Sequence, residues 1–497
     1  MMFLKSILDP LNGIFEKFET HHAFYIQEQY YTYNQFALYI SKVRDALQAR
    51  LTVSPNIGLV VNDDIETYAS IFAIWLEGYA YVPLHPHQPV ERSREIIDQA
   101  EISLVLDSGK DFVLKDVEII ETRILQSGII NLHPKLVADD SLAYMLFTSG
   151  STGKPKGVMI SRGNLGAFMD SFTKTGIQID EKDRCLQCFD LTFDVSVQSF
   201  LVPLIKGACV YTIPHDQIKY SYVYGLLEDH QLTFGAMAPS MIRYLRPYFD
   251  EIRIPGMRYN IVTAEASPLD LLLEWSECIP NAEIYDFYGP TEATIYCTYH
   301  KFNREGLNKQ LNGMLSIGKP MDGLNAIIID DEGNILGKNQ KGELCISGNQ
   351  LTPGYWKNPE KNRDSFFEKE VNGSLIRYYK TGDSCFFDDE GDIMLAGRLD
   401  YQVKIQGYRI ELGEVEYHAR EFLKGQNAIA VPVANQLGNT EIVLFVEGFF
   451  SEESELVAYL QSKMPYYMMP SRIMVEPTFA LNTSGKVDRI KLKSKLS

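Results

Sequence analysis

Leu142 to Val158, LAYMLFTSGSTGKPKGV, is the stretch that decides how this chain reads. Leu142 to Phe147 is a short apolar run of strand type. It breaks at Thr148 into a loop that runs to Gly157. The loop carries the hydroxyls of Thr148, Ser149, Ser151 and Thr152, the glycines Gly150 and Gly153, and two lysines, Lys154 and Lys156. Hydroxyls and unhindered backbone N–H groups cradle anions, and glycine lets the backbone approach them closely. The lysine charges suit a polyphosphate. Walker A spacing is not met, because Pro155 stands where its second glycine would fall. On composition alone the loop reads as a phosphate cradle or as an exposed turn.

Upstream, amphipathic helical spacing alternates with short apolar strands. Phe36 to Leu47 and Tyr68 to Leu76 are helical in pattern; Ile57 to Val61, Ala80 to Leu84 and 103–106 (SLVL) are strands. That rhythm predicts an α/β unit with a largely parallel sheet, whose ligand loops lie beyond the carboxyl ends of its strands. Downstream the alternation resumes, with strands at Ala208–Ile213 and Tyr259–Thr263 and helices near Ser221–Glu228 and Ser240–Tyr248. After about Leu315 short β-type runs and tight turns predict a small β-barrel or sheet subdomain. From about Leu399 the mixture of helix (Leu412–Leu423) and strands (Ile429–Val433, Glu441–Glu447) predicts a separate small α+β unit. The expected organisation is a core domain over 1–398, made of two α/β subdomains and the β-rich part, followed by a mobile domain over 399–497.

A chain of 497 residues exceeds the usual size of one domain. The net charge of -18 argues against general nucleic-acid or anionic-membrane binding, while leaving room for a local basic pocket. The N-terminus lacks a signal-peptide layout, with Lys5, Asp9 and Pro10 interrupting its apolar stretch. No window reaches the ~18 apolar residues of a membrane helix. Seven scattered cysteines fit a reducing compartment, so a cytoplasmic location is expected. Cys185 and Cys188 form a CxxC with no second pair at metal spacing.

Other constellations occur in order along the chain. Phe287-Tyr288-Gly289-Pro290-Thr291-Glu292 offers an aromatic face for a purine, a hydroxyl for a phosphate and a hard oxygen for Mg²⁺. Tyr379 to Asp383 sets a carboxylate after a turn. Gly397-Arg398-Leu399-Asp400 joins the β-rich part to the tail, and Ser484-Gly485-Lys486 puts a lysine near the end of the chain. Taken singly, the last three are as consistent with a β-turn, a surface ion pair and a solvated tail.

Together they resemble the adenylate-forming superfamily, and more narrowly the amino-acid adenylation domains of nonribosomal peptide synthetases and D-alanine–carrier-protein ligases. The matching motifs span almost the whole chain. They include Gly78 to Pro83, the central loop, Phe193 to Ser196, Tyr288 to Glu292, Gly354-Tyr355-Trp356, Tyr379 to Asp383, Gly397 to Glu411 (GRLDYQVKIQGYRIE) and Asn482 to Arg489.

That resemblance implies a two-step reaction. A carboxylate attacks the α-phosphorus of MgATP, and a carrier protein's phosphopantetheine thiol then displaces AMP. By the same resemblance Thr148, Ser149, Gly150, Ser151, Thr152, Gly153, Lys154 and Lys156 hold the β- and γ-phosphates. Tyr288 stacks on adenine, Ala264 and Glu265 belong with the nucleotide contacts, and Asp383 and Arg398 hold the ribose. Thr291 meets the α-phosphate, Glu292 binds Mg²⁺, and Lys486 bridges the substrate carboxylate and the developing phosphate charge. Asp400 is the hinge about which the tail domain turns.

In the resembling amino-acid enzymes the carboxylate at Asp194 binds the substrate's α-ammonium. Fatty-acyl and aryl ligases generally lack it, since an unpaired buried carboxylate is costly. The positions matching the family's side-chain pocket are Asp194, Val195, Gln198, Ala236, Val262, Ala264, Phe287, Ile295 and Tyr296. Their apolar character favours a small or medium apolar amino acid, proline first and alanine of either hand second. Departures include His85, which replaces an Asp, and Gln406, which replaces a common Arg near the pantetheine path. Only a short tail follows the last motif, so a free-standing enzyme loading a separate carrier is expected. Lys491, Lys493 and Lys495 are either a patch for an acidic carrier or a solvated tail. The alternatives are an acyl- or aryl-CoA synthetase of the same fold and a nucleotide-binding regulator without chemistry.

Overall fold

The structure, a computed structural model, describes all residues except 51–53, 110–113, 115, 127, 151–152, 216, 483–486 and 497. The Leu142 run forms the strand Leu142–Thr148, and the chain returns along Lys156–Ser161 as its antiparallel partner, with Thr148 opposite Lys156 and Phe147 opposite Gly157. The loop is therefore tighter than its composition suggests, and Lys156 is a strand residue. This hairpin closes a six-stranded sheet in the order Glu118–Glu121, Leu104–Asp107, Asn56–Val60, Ala80–Leu84, Leu142–Thr148, Lys156–Ser161. All its pairs but the last are parallel. The central strands are buried on both faces, as parallel sheets covered by helices must be.

A nine-stranded sheet forms the second layer system. Its central run, His22–Ile26, Cys209–Thr212, Arg184–Gln187, Phe234–Met237, Tyr259–Thr263 and Glu283–Tyr288, is parallel throughout. The helix Asp194–Leu204 leads from Arg184–Gln187 to Cys209–Thr212 and is buried along its whole length. Phe24, Phe36, Phe72, Phe200 and Trp75 interlock edge-to-face between the two sheets, so one apolar core welds them.

The β-rich part after Leu315 takes the sheet form of the two expected. Leu324–Ile329, Gly342–Gly348 and the long strand Ser374–Phe387 pair in succession, and both Phe366–Val371 and Ile393–Arg398 add to Ser374–Phe387. Among the described strands nothing pairs the two ends into a barrel. Beyond Asp400 a hairpin, Gln402–Ile405 with Tyr408–Glu411, precedes the helix Leu412–Phe422 and a three-stranded sheet of Ala428–Ala434, Thr440–Glu447 and Arg472–Glu476. These elements pack around apolar cores of their own, one built from Ile410, Leu412, Val415, Leu444, Leu456 and their neighbours. All seven cysteines are buried and free. No described helix is long and apolar enough to cross a membrane.

Candidate active site

The site lies where the carboxyl ends of both sheets meet the hairpin Gln402–Glu411. Asp194 opens the helix Asp194–Leu204, with its carboxylate buried and Oδ2 lacking a hydrogen-bond partner among the described residues. Burial raises its pKa to about 6 and the Glu292 charge adds to this, against the Thr291 hydroxyl and the backbone N–H groups of Ile295 and Val195. Tyr81, Tyr144 and Tyr296 also feel its charge. Asp194 thus shares one cleft with Thr291, and the charge of the fully buried Glu292 reaches it. The cleft, about 50 Å³, is lined by Asp194, Val195, Thr263, Ala264, Tyr288 and Thr291 on one side and by Lys404, Gly407 and Arg409 of the hairpin on the other.

Glu292 is fully buried. The Tyr355 hydroxyl donates to its Oε1 at 2.6 Å, and Arg409 Nη1 pairs with Oε2 at 2.7 Å. Burial alone would raise this carboxyl, but the Arg409 and Lys156 charges outweigh it and bring the pKa to about 2. Glu292 is therefore a permanent anion that binds a cation, here a guanidinium. The residues fit a Mg²⁺ ion that arrives with a nucleotide. One hard carboxylate stands beside Thr291, no group of three or more His, Cys, Asp or Glu that could hold a metal occurs among the described residues, and phosphate oxygens commonly complete such a sphere.

Tyr288 donates to Asp383 Oδ2 at 2.5 Å, and Arg398 Nη1 holds Asp383 Oδ1 at 3.0 Å. Arg398 also forks onto Asp400, Nε to Oδ1 at 2.9 Å and Nη2 to Oδ2 at 2.5 Å. The expected ribose pair and the expected hinge are thus one network. Lys404 Nζ sits 5.7 Å from the Tyr288 ring centroid, over the face assigned to adenine. Burial lowers its pKa, while Asp383 works against that shift.

The central loop is held by the tail of the chain. Ser149 Oγ donates to Arg409 O at 2.9 Å and accepts from Glu411 N at 3.1 Å, while Lys156 Nζ lies 3.4 Å from Glu411 Oε1. Gly150 N donates to Glu414 Oε2 at 2.9 Å, and Arg92 Nη1 meets Glu414 Oε1 at 2.7 Å, both side chains being buried. A carboxylate thus occupies the loop's anion-binding N–H. Gly153 has φ +81°, and a Cβ there would collide with the Tyr417 ring. Thr148 Oγ1 is buried without a partner among the described residues, and Lys154 is exposed. Ser151, Thr152 and Lys486 lie outside the described residues.

Glu265 accepts from Ser240 Oγ at 2.8 Å and Gly407 N at 2.7 Å through Oε1, and from Ser240 N at 3.0 Å through Oε2. It braces the hairpin more than it addresses the cleft. Ala264 lines the cleft with φ +70°. Gln198, Ala236, Phe287, Ile295 and Tyr296 gather behind Asp194, whereas Val262 does not. Strand residues alternate faces, and Val262 packs with Met237, Leu271 and Trp275 in the core on the other side of the sheet. Its neighbour Thr263, level with Phe287 across the ladder, lines the cleft in its place. Sequence reasoning also left Arg409, Tyr355, Lys404, Arg92 and Glu414 without roles. The first three stand within quoted motifs, but their partners are more than 60 residues away in the chain.

A second cavity of about 400 Å³ adjoins the cleft through Phe193 and Gly407. Asp190, Tyr220, Tyr244, Gln406 and Tyr466 are among its lining.

Residues 15–356 match the family model described as AMP-binding enzyme. Among curated relatives, a linear gramicidin synthase of Brevibacillus parabrevis is 30% identical over 94% of this chain, which spans 9% of that protein's length. The D-alanine–D-alanyl carrier protein ligase of Bacillus licheniformis is 28% identical over 86% of this chain and 87% of its own length. Among solved structures, the Vibrio cholerae adenylation domain AlmE in complex with glycyl-adenosine-5'-phosphate shares the fold with a TM-score of 0.84 at 24% identity. That likeness covers 99% of this chain and 97% of that one. The o-succinylbenzoate CoA synthetase of Bacillus subtilis gives 0.82 at 21% identity, covering 98% of each.

Proposed function

Because this chain belongs to the AMP-binding enzyme family, we propose that it activates an amino acid with ATP and passes the aminoacyl group to the phosphopantetheine thiol of a separate carrier protein. In the first step a carboxylate oxygen attacks the α-phosphorus and pyrophosphate leaves with its bond electrons. In the second a thiolate attacks the acyl carbonyl and AMP leaves. Such chemistry asks for positioning and charge neutralisation more than for a nucleophilic side chain.

The observation that carries the reading is Asp194, a buried carboxylate with an unpartnered oxygen, in a cleft that Thr291 also lines and near enough to Glu292 to feel its charge. An ammonium group satisfies that oxygen; a fatty or aryl acid leaves it bare at a cost of several kcal/mol. Tyr288, Ala264, Asp383 and Arg398 are assigned to adenosine, and Thr148 to Lys156 to the triphosphate. Mg²⁺ bound at Glu292 would supply charge neutralisation for that triphosphate. Lys486 is assigned to the reacting carboxyl, and the two units divide near Leu399, with Asp400 as the turning point.

In the arrangement seen here Lys404 lies over the Tyr288 ring, Arg409 pairs with Glu292 and Glu414 takes the Gly150 N–H, the groups assigned here to the nucleotide, so on this reading ATP enters with the tail unit swung away. The cavity of about 400 Å³ reaching the cleft beside Gln406 and Gly407 supports a thiol's route in this same arrangement. For the acid itself, the sequence ranks proline ahead of alanine.

The test is ATP–pyrophosphate exchange across the twenty amino acids, D-alanine, and several fatty and aryl acids, followed by loading of holo-carrier against free CoA. Exchange driven by an amino acid and loading of the carrier are expected. Exchange driven only by a fatty or aryl acid, with CoA as acceptor, would sink the reading.

A further inference from the structure

We propose that the amino acid activated is glycine, an inference that rests on Asp194 being the ammonium's partner as set out above. The argument concerns what stands behind that carboxylate. One helical turn beyond Asp194, on the same face, is Gln198, whose Oε1 accepts from the Tyr296 hydroxyl at 3.3 Å. The Tyr296 ring packs on Phe287 with centroids 4.8 Å apart. Gln198 and Tyr296 are 0% exposed, and Phe287 and Ile295 are 1% exposed. In this arrangement Gln198 and Tyr296 border no space that a water molecule could enter, and Phe287 and Ile295 border almost none. The lining of the cleft accordingly ends at Asp194, Val195 and Thr263, and reaches none of these four.

The wall is also fixed in place. Thr294 and Ile295, both β-branched, hold φ +57° and +72°, a conformation such residues adopt only when their surroundings impose it. Gln350 imposes it. Its Nε2 donates to Tyr296 O at 2.7 Å and to the carbonyls of Ala293 and Thr294 at 3.2 and 3.3 Å, and the Thr294 hydroxyl donates to Gln350 O at 2.5 Å. From the other side Gly289 presses so closely that a Cβ there would stand 2.4 Å from Ile295 O and 2.7 Å from Tyr296 Cα. A wall pinned from both sides cannot retreat to admit a side chain. An amino acid anchored at Asp194 therefore has room for hydrogens on its Cα, and a methyl group or a pyrrolidine ring meets close-packed atoms. This reverses the order drawn from Asp194, Val195 and Gln198 as a proline-type trio. Those residues are present, but Phe287 and Tyr296 fill the depth that a ring would need.

The test is pyrophosphate exchange by the full chain with glycine, L-alanine, D-alanine, L-proline, hexanoate and benzoate. Glycine should exceed either alanine in kcat/KM by roughly ten- to two-hundred-fold, the range that one extra methylene commands in a close-fitting pocket, and proline by more. Alanine or proline matching glycine would overturn this inference while leaving the amino-acid reading intact. Hexanoate or benzoate outrunning every amino acid would overturn that reading as well. Tyr296→Ala, checked by its melting curve, should move the preference towards alanine or a larger acid. A folded variant that keeps the original ranking would remove Tyr296 from the wall. Should that variant fail to fold, the panel on the unmodified chain still decides.

Discussion

At the scale of single residues the proposed chemistry rests on Asp194 and Lys486. The Asp194 carboxyl stands at about 6 in the folded chain against an ordinary 3.8, because burial disfavours its charge. Its proton is therefore held more tightly folded than unfolded, so its stabilising contribution is present at acid pH and is lost as pH rises through about 6. Activity runs the other way, since only the carboxylate can pair with an ammonium. We expect kcat/KM for the amino acid to fall roughly tenfold per pH unit below about 6. In kcat the limb should move lower, because bound ammonium favours the charged form. A kcat/KM profile flat from about pH 5 to 7 would contradict this role. A lysine charge that meets the reacting carboxyl stabilises the transition state differentially. Lys486→Ala should accordingly cut pyrophosphate exchange by at least ~10²-fold with an unchanged melting curve. Near-normal exchange would remove Lys486 from the mechanism.

Among elements, the hairpin Gln402–Glu411 and the short link before it are the ones the proposed change between half-reactions would move. Arg398 grips Asp383 on the core side and Asp400 on the link, so the link is latched to the cleft. A hinge needs a few residues free to rotate, and proline fixes φ near about −65°. Asp400→Pro should therefore spare pyrophosphate exchange and slow thioester formation on a holo-carrier. Equal loss of both steps would place the hinge elsewhere. Element existence was legible in the chain, because period-2 and period-3.6 patterns are local. The strands Ala80–Leu84 and Tyr259–Thr263 fall where the pattern puts them. The pairing of Leu142–Thr148 with Lys156–Ser161 was not legible, since Thr148 and Lys156 read as loop until the partner strand is seen.

For the whole molecule, the proposed function implies a competition between the tail unit and the nucleotide for one bed. Glu414 takes the Gly150 N–H and the Arg92 guanidinium, while Arg409 takes Glu292. Glu414→Gln removes the charge on which both Arg92 and Gly150 rely. Hydrogen bonds to charged groups are worth about 1.5–3 kcal/mol, so ATP should bind some ~10- to 100-fold tighter to that variant by calorimetry, with thioester formation slowed. Unchanged or weaker ATP binding would show that the carboxylate does not compete with phosphate.

The sequence by itself determined the layered α/β architecture, the β-rich insert, the mixed helix and strand of the tail and the family's motifs. Each of these is written in local periodicity or in short contiguous strings. Tertiary structure alone decided that Val262 points away and Thr263 inward, since a strand's register fixes which face its side chains take. It also decided that Arg409 and Glu414 enter the site and that Gln350 pins the wall behind Asp194. Those contacts join residues about 55 to 260 positions apart, and charge pairing and close packing over such separations leave no mark on the chain until it folds.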